Sequence, residues 1–292
     1  MSPESTLFQT QLATFNRRRF ELDVTLDWRA DLEERARFVS LETGWIEAQR
    51  RELAPVVAKV PLDAESFVGW FERLETEGAG QHDPLFPWLA ERATLSEMRW
   101  FLAQEIGGEA GFEDLVALTQ LKMPATAKLE LARNYWDEMG QGHPGGMHGP
   151  MLERLGQELG LDRADVPPVE EALALGNTMI ALAANRRYAF QSIGALGVIE
   201  LTAPGRAKRV NEGLKRLGIG GEARRYFALH ATLDIKHSRA WNQDVLRPLV
   251  QENPARARLI AEGALLRLQC GARCFEQYRH VLGLDAQQRL AS

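Results

Sequence analysis

The chain has 292 residues, of which 45% are apolar and 26% charged, and it carries a net charge of −5. That length supports a substantial core in one large domain or two smaller ones. The acidic balance and the lack of a dense Lys/Arg block exclude a general nucleic-acid binder.

The opening "MSPESTLFQTQLATF" has neither a basic n-region nor an unbroken apolar stretch, so no secretory signal is expected. The most apolar segment, "SIGALGVIELTAP", is too short to span a bilayer and is interrupted by Glu200 and Pro204. A cytoplasmic protein without membrane association is therefore expected. Cys270 and Cys274, four apart on a helical pattern, read as buried packing residues rather than a disulfide or redox pair.

Nearly every periodic segment has the helical period, and no alternating run flanked by hairpin-turn residues is present. In chain order, helices are expected over 5–19, 29–53, 63–78, 85–92, 95–120, 125–140, 147–159, 168–186, 188–202, 205–217, 221–246 and 254–284. The basic run "NRRRF" at 16–20 is followed closely by Glu21 and Asp23, and it reads as a solvated helix face. "ELDVTLDW" at 21–28 is the one short alternating piece and reads as an extended connector. Asp63 and Ser96 are candidate N-caps, and Pro124, Pro144, Pro204 and Pro254 stand where helices should start or stop. The pattern is all-α, with no linker or repeat: one helical domain, residues 61–292, carrying a helical extension over 1–60.

Six histidines occur. His82 lies in the turn-rich "EGAGQHDPLFP" and His280 near the C-terminus, so both should be exposed. His230, Asp234 and His237 stand at i, i+4 and i+7 in "HATLDIKH", which places them within roughly 60° around a helix axis. "NYWDEMGQGHPGGMHGPML" (134–152) ends one helix at Asp137-Glu138, breaks at several glycines, and starts another near His148, with His143 between. Glu200 is the only charge in the apolar helix from Ala189 to Pro204, where an uncompensated carboxylate would be expensive. Together Glu138, His148, Glu200, His230, Asp234 and His237 form a nitrogen–oxygen donor set for two ions, of a kind suited to iron or manganese.

These segments resemble the haem-oxygenase-like diiron oxidases and oxygenases, the iron-containing redox enzyme family. "NYWDEMGQGHPGGMH" is similar to the family's glutamate-then-histidine ligand segment. "HATLDIKH" matches its His-x3-Asp-x2-His helix, and Glu200 lies 30 residues upstream of His230. The resemblance covers about residues 95–245. It implies a haem-oxygenase-like helical bundle binding two iron ions, with manganese an alternative in one position, and no haem. It also implies O2-dependent oxidation of a small molecule by N-oxygenation, oxidative decarboxylation or C–C cleavage; an external electron donor is a candidate further partner. Glu138, Glu200 and Asp234 are the carboxylates implied in catalysis. Glu138 and His148 would anchor one iron, His230, Asp234 and His237 would serve chiefly the other or be shared, and Glu200 would bridge. Glu105 and Glu109 are candidates for a further glutamate ligand, and His143 competes with His148, which is preferred for its place on a packable helix.

Trp136, Tyr188, Phe190 and Trp241 neighbour these segments as pocket walls or plain core. Arg186 and Arg187 could meet an anionic substrate but read more simply as a solvated face. A homodimer is compatible with the sequence. The rival readings are a non-catalytic helical scaffold, a haem-binding protein of the same fold, and a thiaminase-like enzyme that would need Cys270 or Cys274 as nucleophile.

Overall fold

The apolar, small-residue stretch beginning at Ala189 becomes the central helix around which the others assemble. In the computed structural model, which describes residues 3–22, 27–161 and 166–284, thirteen α-helices are defined among those residues. They are α1 (Pro3–Arg18), α2 (Trp28–Val57), α3 (Ala64–Glu77), α4 (Leu85–Glu91), α5 (Leu95–Gly108), α6 (Phe112–Thr119) and α7 (Ala125–Glu138). After them come α8 (His148–Glu158), α9 (Glu170–Ala184), α10 (Ala189–Arg216), α11 (Arg225–Ala240), α12 (Arg247–Glu252) and α13 (Arg256–Val281). No strand occurs among the described residues, and the fold is one all-α bundle. Most of the connector expected at 21–28 lies outside the described residues.

α10 is buried on all sides through Leu201, with α4, α9, α11 and α13 packed around it. Its approach to α13 depends on glycine. A Cβ at Gly194 would lie 1.8 Å from the Ile260 carbonyl oxygen, and one at Gly263 would lie 1.7 Å from that of Gln191. Only the absence of side chains lets the two backbones touch. α1 is held to α9 by a buried polar network in which Asn16 Nδ2 donates to Asn177 Oδ1 and Asn177 Nδ2 donates to Gln9 Oε1, each at 2.9 Å. α2 packs on α9 and α13.

Four boundaries differ from the sequence reading. The helix expected over 95–120 is two helices, because the chain turns at Glu109–Gly111, where Gly111 has φ +74°. The helices expected over 188–202 and 205–217 are one: α10 runs through Pro204, its burial overriding the proline signal. α2 likewise continues past Pro55. Finally, 221–246 divides into α11 and a wider π-helical turn over Trp241–Leu246. Asp63 caps α3 by accepting from the Ser66 N–H, whereas α5 is capped by Thr94 in a reciprocal box with Glu97, not by Ser96.

Candidate metal centre

α11 carries His230, Asp234 and His237 on the stripe facing α10, and Asp234 and His237 are buried. At 1.5 Å per residue the two imidazoles are about 10 Å apart along the axis, so they meet different partners. His230 Nδ1–H donates to the Tyr226 carbonyl (2.7 Å), which leaves Nε2 free. Its ring lies edge-on to His148, with centroids 4.7 Å apart. His237 Nε2 faces Asp137 Oδ2 at 3.2 Å, and its Nδ1 faces Glu200 Oε2 at 3.4 Å.

Glu138 ends α7 and His148 opens α8, with the glycine-rich break between them. Gly140 and Gly142 have positive φ, and a Cβ at Gly140 would lie 2.3 Å from the Gly146 carbonyl carbon. This tight turn, closed by an antiparallel bridge between Met139 and Met147, returns the chain so that His148 Nδ1 lies 2.6 Å from Glu138 Oε2. That contact lacks hydrogen-bond geometry, and Nδ1 of His148 has no hydrogen-bond partner. Glu200, on α10, accepts from Asn134 Nδ2 at 2.6 Å.

Donor atoms converge in two triads: Glu138 with His148 and His230, and Glu138 with Glu200 and His237. Within each, one ligand atom per residue lies within 4.8 Å of the others. Glu138, rather than Glu200, is common to both. Asp234 lies between the two imidazoles of its helix, with Oδ1 buried and unpartnered. It lines a cavity of about 360 Å³ together with Glu138, His148, Glu200 and His230.

The electrostatics are those of a site short of positive charge. Burial, reinforced by Glu200 and Glu138, pushes Asp234 up to about 10. Burial and then repulsion from Glu200 raise Glu138 well above the usual carboxylate range. Burial lowers His148 and His230 to about 4 each, with a neighbouring imidazole adding to the effect, so both are neutral at pH 7. Burial would also lower His237, but the carboxylates of Glu200, Asp137 and Glu138 outweigh it and hold the ring at about 9. Orphaned buried donor atoms, neutral imidazoles and clustered carboxylates fit divalent cations, which would supply the missing charge.

The remaining candidates separate clearly. His143, His82 and His280 are exposed. Glu109, exposed at the end of α5, accepts from the Ala110 and Gly111 N–H groups, and both it and Glu105 line the cavity outside the two triads. Sequence reasoning missed Glu113, which lines the cavity near His148 and whose pKa is raised by burial. It also missed Asn134 and Asp137 as positioning groups. Asn134 was detectable as a polar residue one turn before Glu138 on the buried stripe of α7.

None of the four nearby aromatics lines the cavity. Trp136 is exposed, Tyr188 donates to Glu47 at 2.9 Å, Phe190 packs at the core edge, and Trp241 donates to the Ile193 carbonyl. Arg186 donates to backbone carbonyls of 118, 119 and 121, and Arg187 pairs with Glu47, so neither faces the cavity. Both cysteines are buried and free. Among the described residues no helix is long and apolar enough to cross a membrane.

Solved structures share this architecture. A CADD-like protein of unknown function from Nostoc punctiforme superposes with a TM-score of 0.57 at 18% identity, covering 74% of this chain and 97% of that one. A domain of unknown function with a haem-oxygenase-like fold from Shewanella denitrificans gives 0.52 at 14% identity, covering 76% and 92%. The fold is therefore haem-oxygenase-like. No curated protein matches the sequence. Residues 99–272, a span containing both triads and Asp234, match the family described as iron-containing redox enzyme, and the chain belongs to that family.

Proposed function

We propose that the protein is a non-haem diiron oxidoreductase that uses O2, with an external electron donor, to oxidise a small organic molecule. The observation carrying this reading is the sharing of Glu138 between two buried donor triads, which gives one carboxylate to bridge two ions. Two ferrous ions would supply electrons and an open position for O2, with manganese an alternative in one position.

The chain's own residues prepare that site. His148 and His230 are neutral and need lose no proton to act as ligands. The Tyr226 carbonyl fixes the His230 tautomer, and Asp137 holds His237 Nε2 so that Nδ1 turns toward Glu200. This is the orienting role that partners of metal-binding histidines play. Asn134 fixes the Glu200 carboxylate. Asp234, held at about 10 and with its Oδ1 unpartnered, is the acid free to release its proton as cation charge enters.

The thiaminase-like alternative needs a thiolate. Burial, followed by Glu105, raises the Cys274 thiol well above its ordinary value. Anaerobic ferrous titration tests the proposal. Uptake of two equivalents per chain, followed by O2-dependent absorption and Mössbauer changes, is expected; uptake of one or none overturns it.

A further inference from the structure

The outer faces of α7 and α11 adjoin where Asp137 meets His237 at 3.2 Å. Asp137 keeps 29% of its side chain exposed and His237 only 7%, so this hydrogen bond runs from the protein surface into the ligand cluster. Around it stand large exposed apolar side chains. Leu129 and Trp136, at 61% and 54% exposure, share the outer stripe of α7 at i and i+7, and Ile235 lies on the outer face of α11. None of these three lines the cavity, so the cavity does not open on this face. The charges here run against the chain's acidic balance. Lys122, Lys128 and Arg133 lie on α7 or the turn before it, and Lys236 and Arg239 on α11, all exposed. Outside the ligand cluster, the carboxylates of the two helices and the π-helical turn that follows are Glu130, Asp137 and Asp244. Five positive charges against three negative leave an excess of two, on a chain of net charge −5. Glu130 is moreover buried against Arg133, and Asp137 is engaged by His237 and Gln141. Against burial, hydrogen bonds from Gln141 and His237, then the charges of His237 and Lys236, hold the Asp137 carboxyl below its ordinary value. Lys236 therefore stands beside the hydrogen bond that enters the site.

We infer that this face is the docking surface for a small acidic one-electron carrier protein, of the iron–sulfur or flavin class, which passes electrons to the ligand cluster through Asp137 and His237. An exposed tryptophan framed by positive charge has the anatomy of a small, electrostatically steered interface. A carrier that delivers substrate on a flexible arm would need an opening into the cavity, and this face has none. A second copy of the chain docked face to face would set positive charge against positive charge. The transfer step balances without moving an atom: two reduced carriers lose one electron each, and two ferric ions gain one each. The inference rests on the proposed oxidoreductase for that step, while docking itself stands on the surface alone.

Calorimetry on the metal-free full chain, with a two-iron plant-type ferredoxin and a flavodoxin as acidic carriers, tests the docking. At least one should bind at about 20 mM salt, and about 200 mM salt should weaken it about tenfold or more. Lys128→Glu, Arg239→Glu and Trp136→Ser should each weaken binding about tenfold. Lys215→Glu, exposed and fifteen residues past Glu200 on α10, should match the parent. Binding of neither carrier, insensitivity to salt, or equal weakening by Lys215→Glu would overturn the inference. So would tighter binding of a redox-inactive acyl carrier protein, or a dimer of the chain that Trp136→Ser dissociates. Should Trp136→Ser not fold, the two charge reversals decide alone. Transfer is read separately, by stopped-flow oxidation of the reduced carrier on the ferric-loaded chain. It should slow in the charge-reversed variants while reduction by dithionite does not, and equal carrier rates in parent and variants would overturn the route. Failure of the diiron reading has a different signature: no ferrous uptake, with carrier docking intact.

Discussion

Asp137 and His237 are exactly one hundred residues apart, and they meet at 3.2 Å through Oδ2 and Nε2. Asp137 turns the other ring nitrogen inward, so it acts on the site through His237. Asp137→Asn should weaken iron binding about 10- to 100-fold, while His237→Ala should remove one ion. Competition with a calibrated chelator measures both. His82→Ala and His280→Ala, at exposed positions, should match the parent.

Glu138 belongs to both triads and Glu200 to one. Glu138→Gln should therefore reduce iron stoichiometry below one per chain, whereas Glu200→Gln should retain about one ion at the His148–His230 end. Metal analysis after anaerobic loading and desalting separates the two variants. Equal stoichiometry in both would mean that Glu138 is not shared.

The metal-free protein should lose stability as pH rises from about 6.5 to about 9. Asp234, held at about 10, and His237, held at about 9, both keep protons there that the unfolded chain has lost. The folded state then binds more protons, and stability falls with a slope of up to about 1.4 kcal/mol per pH unit for each group. Below about 6.5, His148 and His230 act in the opposite sense, because the unfolded chain takes up protons that the folded rings, at about 4, do not. Chemical denaturation across this range should show the loss above neutrality, and Fe(II) should abolish it by displacing the retained protons. Loss of stability only on acidification would contradict the assignment.

Gly194→Ala and Gly263→Ala should each destabilise the fold by about 3 kcal/mol or more, because the added methyl meets backbone that cannot rotate away. Gly145→Ala, with open space around it, serves as the control. Urea denaturation of the three variants checks the contrast.

Helical periodicity made the all-α class legible, and the i, i+4, i+7 stripe of α11 was visible because helix geometry alone brings those residues together. The split after Gly108 was hidden because nearby glycines pass for helix interior until a positive φ at Gly111 stops the chain. Pro204 misled for the opposite reason: α10 is packed tightly enough to carry the missing N–H. The sharing of Glu138 and the Glu113 wall depend on distances between helices far apart in sequence. No local pattern encodes those distances.

The turn between Glu138 and His148 bears on how a cation would be captured. Its ten-residue span is already closed by the Met139–Met147 bridge and by glycines fixed at positive φ. A cation joining Glu138 to His148 therefore need not gather a floppy segment, and the configurational entropy of closing that loop has been surrendered during folding. Capture at this end should be fast and nearly free of chain ordering, and this pair would be the natural entry point for the first ion.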